Sequence, residues 1–233
     1  MIVGVVGNGF IGQAMRQVDG EHLQVLSYDI NPDLRDPPHT TLNHVSQADL
    51  IFVSVPTPME STGAVHVGLV ESVVRDLQSL GASDKFIVVR STVPPGTCRR
   101  LGVYFMPEFL TEARAADDFR NTAIWMCGLP AGVSAEKHTA FRHTMERFLD
   151  LAHTQGSIVS KRLECVDSSE AEMIKYFRNT FLATKVSFCN EIAALCQKLG
   201  VEYETVRVLA TADPRITPSH TRVPGPDGRR GFG

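Results

Sequence analysis

Three groups of residues in this chain of 233 have types and spacings suited to chemistry. The first is Gly7-Asn8-Gly9-Phe10-Ile11-Gly12, a G-x-G-x-x-G run directly after the apolar segment Ile2–Val6. An amphipathic run follows it, with Ile11, Ala14, Met15 and Val18 on one face, and a second apolar segment, 25–28, ends in Asp29. Strand, glycine loop, helix, strand and acid, in that order, predict a dinucleotide site. Gly7 permits the tight turn, Gly9 lets backbone approach a pyrophosphate, and Gly12 lets helix and strand pack closely. The helix start then offers N–H groups and the positive end of its dipole to the phosphates. A carboxylate at position 29 accepts ribose hydroxyls and repels a 2′-phosphate. No Arg follows it directly, so NAD is expected over NADP.

The second group is Glu108 and Glu112, on either side of Phe109 and Leu110. Should the segment turn helically, both carboxylates share a face and can divide proton transfer from water or cofactor positioning. A solvated acidic loop reads equally well. The third group is Lys175 and Asn179, also four apart, on the polar side of a long helical stretch away from Phe177, Phe181 and Leu182. A Lys can stabilise a developing alkoxide and an Asn can donate to an oxyanion, although most such pairs are only a solvated face. Arg229 and Arg230, beside glycines, could grip a phosphate or form a basic tail.

The elements that must hold these residues alternate between strand and helix. Apolar strand-like runs occupy 50–55, 86–89, 103–106, 123–127 and 163–166; helical spacing marks 67–80 and 134–153, with Phe141, Met145, Phe148 and Leu149 inward. Two strands run into stiff loops, Val55-Pro56-Thr57-Pro58 and Ser91-Thr92-Val93-Pro94-Pro95-Gly96-Thr97, where ligands sit in open parallel sheets. The expected fold is α/β, a Rossmann-like doubly wound parallel sheet over 1–166, followed by a long-helix central domain over 167–233. Ser169 and Glu172 fit the S-x-x-E capping box, no Gly or Pro interrupts 169–199, and Gly200 is the natural stop. That rod of roughly 45 Å is too long to lie on one small sheet. A homodimer built on the 169–199 helix is expected, through Phe181, Val186, Phe188 and Ile192.

These segments, in this order, resemble the nucleotide-sugar dehydrogenases of the UDP-glucose/GDP-mannose dehydrogenase family. The resemblance rests on the glycine run, Val55-Pro56-Thr57-Pro58, the loop from Ser91 to Thr97, Pro107-Glu108-Phe109-Leu110 with Glu112, Lys175 with Asn179, and Asn190-Glu191-Ile192. It covers nearly the whole chain. The resemblance implies NAD-dependent oxidation of a nucleotide sugar, UDP-glucose to UDP-glucuronate, by two hydride transfers through a cysteine thioester. By the same resemblance, Glu108 is the base for hydrolysis, aided by Thr92, and Glu112 is a cofactor-side carboxylate. Lys175 and Asn179 stabilise alkoxide and oxyanion, while Phe109, Leu110, Phe232 and Gly233 contact the sugar. Residues Gly7 to Gly12, Asp29, Val55, Pro56, Thr57 and Thr92 line the cofactor. The family's cysteine lies just beyond a segment like Gly231-Phe232-Gly233, so it is expected past residue 233. A β-hydroxyacid dehydrogenase, oxidising once without a cysteine, and a non-catalytic NAD-binding dimerisation module remain alternatives.

Composition narrows the classes. A net charge of −3 provides no basic field for nucleic acid. No apolar run approaches the roughly 20 residues of a membrane span, and no signal peptide is recognisable. The five cysteines are scattered without C-x-x-C, which implies neither a disulfide framework nor a metal site and suits a cytoplasmic setting.

Overall fold

The computed structural model describes residues 1–111, 114–225 and 228–231. By its contacts the chain divides into two compact units, Met1–Lys175 and Tyr176–Gly233. The expected division at 166/167 lies nine residues earlier than this one.

In the first unit, seven strands form one sheet: β1 Ile2–Val6, β2 Gln24–Tyr28, β3 Leu50–Val53, β4 Phe86–Val89, β5 Tyr104–Phe105, β6 Trp125–Leu129 and β7 Leu163–Asp167. Their spatial order is β2-β1-β3-β4-β5-β6-β7. The strands are short apolar runs because both faces are covered. Phe52 and Val88 face one core with Val3 and Val5; Ile51, Val53, Ile87 and Val89 face the other with Val6. Helices α1 Phe10–Met15, α5 Ala115–Arg120 and α6 Ala135–Thr154 close the first face. Helices α2 Leu42–Ser46, α3 Gly68–Ser79, α4 Thr97–Leu101 and the start of α7 Ser168–Leu199 close the second. The inward residues expected on α6, Phe141, Met145, Phe148 and Leu149, are fully buried.

The sheet departs from the all-parallel expectation at one place: β6 runs antiparallel to β5, and β7 follows β6 in parallel. The reversal brings residues 122–126 up beside 106–110 at the C-terminal ends of the parallel strands. It also sends β7 down, so that α7 begins beside Gly128 and climbs back. A Cβ on Gly128 would lie 2.8 Å from the Ser168 Cα, so only glycine lets α7 approach this closely.

The start of α7 is a second departure. Asp167 Oδ1 accepts from the Ser169 N–H at 2.8 Å, and the Glu170 carboxylate reaches back to the Asp167 N–H at 3.0 Å. Asp167 and Glu170 therefore form the reciprocal cap, not Ser169 and Glu172. A helix starting at Ser168 makes Asp167 the better placed acceptor, and Glu172 is left free for other work.

In the second unit, α7 runs on to Leu199 and stops at Gly200, which has φ +68°, with the Val201 N–H donating to Cys196 O at 2.9 Å. Helix α8, Tyr203–Ala210, follows. The Pro- and Gly-rich tail is stitched back by Lys185 to Thr217 O, Tyr203 to Thr221 O and Asn190 to Arg230 O, at 2.6 to 2.7 Å. Cys189 and Cys196 are buried, as small packed apolar residues. Phe177, Phe181, Phe188, Leu195 and Leu199 all lie half or more exposed on α7. Their steps of four and seven residues place them along one side.

Candidate active site

Two crevices open at the C-terminal ends of the strands. The first lies where the strand order reverses, between β1 and β3. Gly7 has φ +88°, and its N–H donates to Tyr28 O at 2.9 Å. A Cβ on Gly7 would sit 2.6 Å from Ser54 O, and one on Gly12 would sit 2.2 Å from Gly7 O. Both glycines are thus required by close approach. Gly9 differs: a Cβ there would meet nothing within 4 Å, so the space over it is open. Helix α1 has no side-chain cap, which leaves its first N–H groups for a ligand. Asn8 is buried, while Phe10 is exposed and Ile11 half-buried. Val55 is buried at the rim, with Pro56 and Thr57 after it.

The Asp29 carboxylate accepts from the Asn8 N–H at 2.8 Å and the Asn31 N–H at 2.9 Å. A carboxylate has about four acceptor positions, so capacity remains for ribose hydroxyls. This open phosphate cradle with an acid at the next strand end fits NAD. Arg35 lies outside the glycine motif and carries no signal in the sequence. Its Nε donates to Asp29 O at 2.8 Å, and its guanidinium lies 5.0 Å from the Tyr28 ring centre. An Arg therefore stands beside Asp29 in space, although none follows it directly in sequence.

The second crevice holds Glu108 and Lys175. Segment 107–111 is irregular rather than helical. Glu108 Oε2 accepts from the Leu110 N–H at 2.9 Å, which aims Oε1 at Lys175. The Lys175 ammonium donates to Glu108 Oε1 at 2.5 Å and to Glu108 O at 2.8 Å. Its side chain is 2% exposed and that of Glu108 11%. The Phe109 ring centre lies 6.0 Å from the ammonium. So α7 and the loop after β5, 67 residues apart, meet in one buried ion pair. Beside it is a cavity of about 40 Å³, lined by Arg90, Glu108, Leu110, Trp125 and Met126 among others.

Arg90, at the end of β4, is a residue the sequence reading missed. It is 2% exposed, and its Nε and Nη1 have no hydrogen-bond partner among the described residues. Burial lowers its pKa to about 10, against the pull of nearby Glu108. At neutral pH it keeps its charge and faces Glu108 across the cavity. The available signal was a lone charge ending the apolar run from Phe86 to Val89. Thr92, half-buried, follows in the loop whose front end is held by Ser91 Oγ donating to Val55 O at 2.6 Å.

The structure thus brings Glu108, Phe109, Leu110 and Lys175 together. Asn179 is half-buried on α7 within the second unit. Glu112, Phe232 and Gly233 lie outside the described residues. Burial raises the thiol pKa of Cys98, Cys127 and Cys165 above the ordinary range, with Glu172 adding to the rise at Cys98. Low-pKa thiolates make nucleophiles, so these three are poorly suited to that role. Among the described residues no cluster of three His, Cys, Asp or Glu could hold a metal, and no helix is long and apolar enough to cross a membrane.

Residues 38–141 match the NAD-binding domain of the UDP-glucose/GDP-mannose dehydrogenase family, and residues 169–229 match that family's central domain. The chain is 30% identical over 185 residues to the UDP-glucose 6-dehydrogenase of Rickettsia conorii, covering 75% of this chain and 40% of that protein. It is 32% identical over 189 residues to the UDP-glucose 6-dehydrogenase of Pseudomonas aeruginosa, covering 74% and 39%. Among solved structures, a UDP-glucose dehydrogenase from Pyrobaculum islandicum superposes with a TM-score of 0.74 at 26% identity, over 94% of this chain and 58% of that one. The chain therefore spans about 40% of the length of the curated relatives it matches.

Proposed function

Because this chain belongs to the UDP-glucose/GDP-mannose dehydrogenase family, we propose that it carries the NAD-binding and charge-stabilising parts of a nucleotide-sugar dehydrogenase. The substrate that fits best is UDP-glucose, oxidised to UDP-glucuronate by two hydride transfers. The buried Lys175–Glu108 pair, on the same strand-end edge as the dinucleotide cradle, carries this reading. NAD, when bound, accepts hydride. Gly7 to Gly12 hold its pyrophosphate, Asp29 its ribose, and Val55, Pro56, Thr57 and Thr92 flank it, with Glu112 on the cofactor side.

Lys175 stabilises the alkoxide as the sugar hydroxyl loses its proton, and Asn179 adds a donor to the oxyanion. Glu108, aided by Thr92, takes a proton from the hydrolytic water. Phe109, Leu110, Phe232 and Gly233 contact the sugar. The thioester step needs a thiolate, which we assign to a cysteine outside these 233 residues. The 169–199 helix pairs two copies through its exposed apolar side, since such a row left in water favours association. Residues 1–166 and 167–233 serve as cofactor and central domains, in a cytoplasmic setting.

The test is incubation of the whole protein with UDP-glucose and NAD, following NADH by absorbance and the sugar product by mass spectrometry. Two NADH per uronate are expected. One NADH per sugar without acid would instead favour the single-oxidation alternative. No NADH with UDP-glucose or GDP-mannose would overturn the proposal.

A further inference from the structure

Glu172 is completely buried, yet its carboxylate takes no part in capping its own helix. It reaches across to α4 instead. Oε2 accepts from the Gly96 N–H at 2.5 Å and Oε1 from the Cys98 N–H at 2.8 Å. Gly96 is the N-cap of α4 and has φ +93°, a conformation in which glycine is favoured, and it brings no side chain of its own to the cap. An acid from α7, 74 residues on from Cys98, thus supplies the cap that α4 lacks. A buried carboxylate is unfavourable unless its oxygens are bonded, and two directed N–H bonds allow only a narrow range of positions. An apolar side chain could fill the same space, but it would not fix how far α7 slides or turns against the loop.

That loop carries Thr92, four residues before Gly96, and Lys175 stands one turn beyond Glu172 on α7. Ser91 ties the front of the loop to Val55, and Glu172 ties its back to the helix that delivers the ammonium. We propose that Glu172 is a positioning residue, whose carboxylate binds the Gly96 and Cys98 amides and thereby fixes the Thr92 loop against Lys175. The inference rests on the dehydrogenase reading for the roles of Thr92 and Lys175; the tie itself does not.

The test uses Glu172→Gln in the whole protein. A glutamine oxygen can accept one N–H, while its amide group opposes the other. Three results are expected. The Gly96 and Cys98 amides exchange about tenfold faster with deuterium; NAD affinity changes less than about threefold; and kcat on UDP-glucose falls roughly thirtyfold with KM little changed. Combined with Thr92→Ala, the losses should be non-additive, the double variant being little slower than the slower single one. Glu170→Ala, which removes the side chain that bonds back to the Asp167 N–H at the α7 cap, is the control for a purely structural effect and should lower stability without changing kcat. Should Glu172→Gln not fold, Glu172→Asp, which keeps the charge and shortens the reach, carries the same measurements. Unchanged exchange at both amides would overturn the tie. Altered exchange with an unchanged kcat, or fully additive losses, would overturn the positioning role. A wild type inactive on every nucleotide sugar would overturn the dehydrogenase reading, and the exchange data would still decide the tie.

Discussion

The two crevices of the sheet are built from different materials. The crevice between β1 and β3, which we propose holds the nucleotide, is made largely of backbone: a left-handed Gly7, a close contact at Gly12, open space at Gly9 and N–H groups at a helix start. One carboxylate serves it, and most of its residues fall within the first 29. The crevice at β4 to β6 is made of buried charges, with Glu108, Lys175 and Arg90 drawn from segments far apart in sequence. A backbone cradle costs little to keep empty, because its amides face water. Buried charges depend on one another, and removing one leaves the others stranded.

Substitutions in the two crevices should tell backbone from charge. Lys175→Met should cost about 3–5 kcal/mol of stability in urea unfolding, because Glu108 is left buried without its partner. It should also lower kcat on UDP-glucose by about 10²- to 10³-fold. A loss in kcat with full stability would mean that the pair is not mutually dependent. Gly12→Ala should weaken NAD roughly tenfold or more in direct titration, with a smaller loss of stability, since its Cβ would press on Gly7 O. Asp29→Ala should narrow the preference for NAD over NADP by about tenfold, because the repelling carboxylate goes while Arg35 stays. An unaltered preference would show that Asp29 does not read the ribose.

The smallest effect concerns pH. Burial and the Arg142 charge hold the His138 pKa below its ordinary value, while its ring packs edge-on against Tyr104. The unfolded chain therefore takes up this proton first as pH falls. Stability from His138 is complete above the ordinary histidine range and declines on acidification through it. Unfolding at about pH 8 and about pH 5 should show the wild type losing ground relative to His138→Gln at the lower pH. No change in that difference would mean that His138 does not contribute to the pH dependence of stability.

The same contrast explains what the sequence disclosed. All seven strands were visible as apolar runs, and the glycine crevice was legible because its parts are contiguous and each has a local steric reason. The direction of β6 was not. Residues 106–124 look like a crossover, but α5 within them has six residues. At 1.5 Å per residue that is about 9 Å, too short to return the chain for another parallel strand. The cap of α7 was misread because Asp167 and Ser169 are both acceptable caps, and only the helix start chooses between them. Glu108 and Lys175 stood out by residue type and spacing, each beside a neighbour four residues on, and the family resemblance supplied their roles. Nothing local in either segment says that they meet, and Arg90 carried only the faint signal of a charge closing an apolar run.

The reversed strand β6 also has a practical side. Because the chain descends through β6, the turn that follows it lies toward the N-terminal ends of the parallel strands, where Lys137 donates to Ser83 O just ahead of β4. Ala131 and Gly132 in that turn are exposed. A dye or an affinity peptide inserted there would sit across the sheet from both the dinucleotide cradle and the charged pair, at the kind of loop tip that accepts insertion. The protein thus offers an attachment point for surface immobilisation or fluorescence work that leaves both crevices facing the solution.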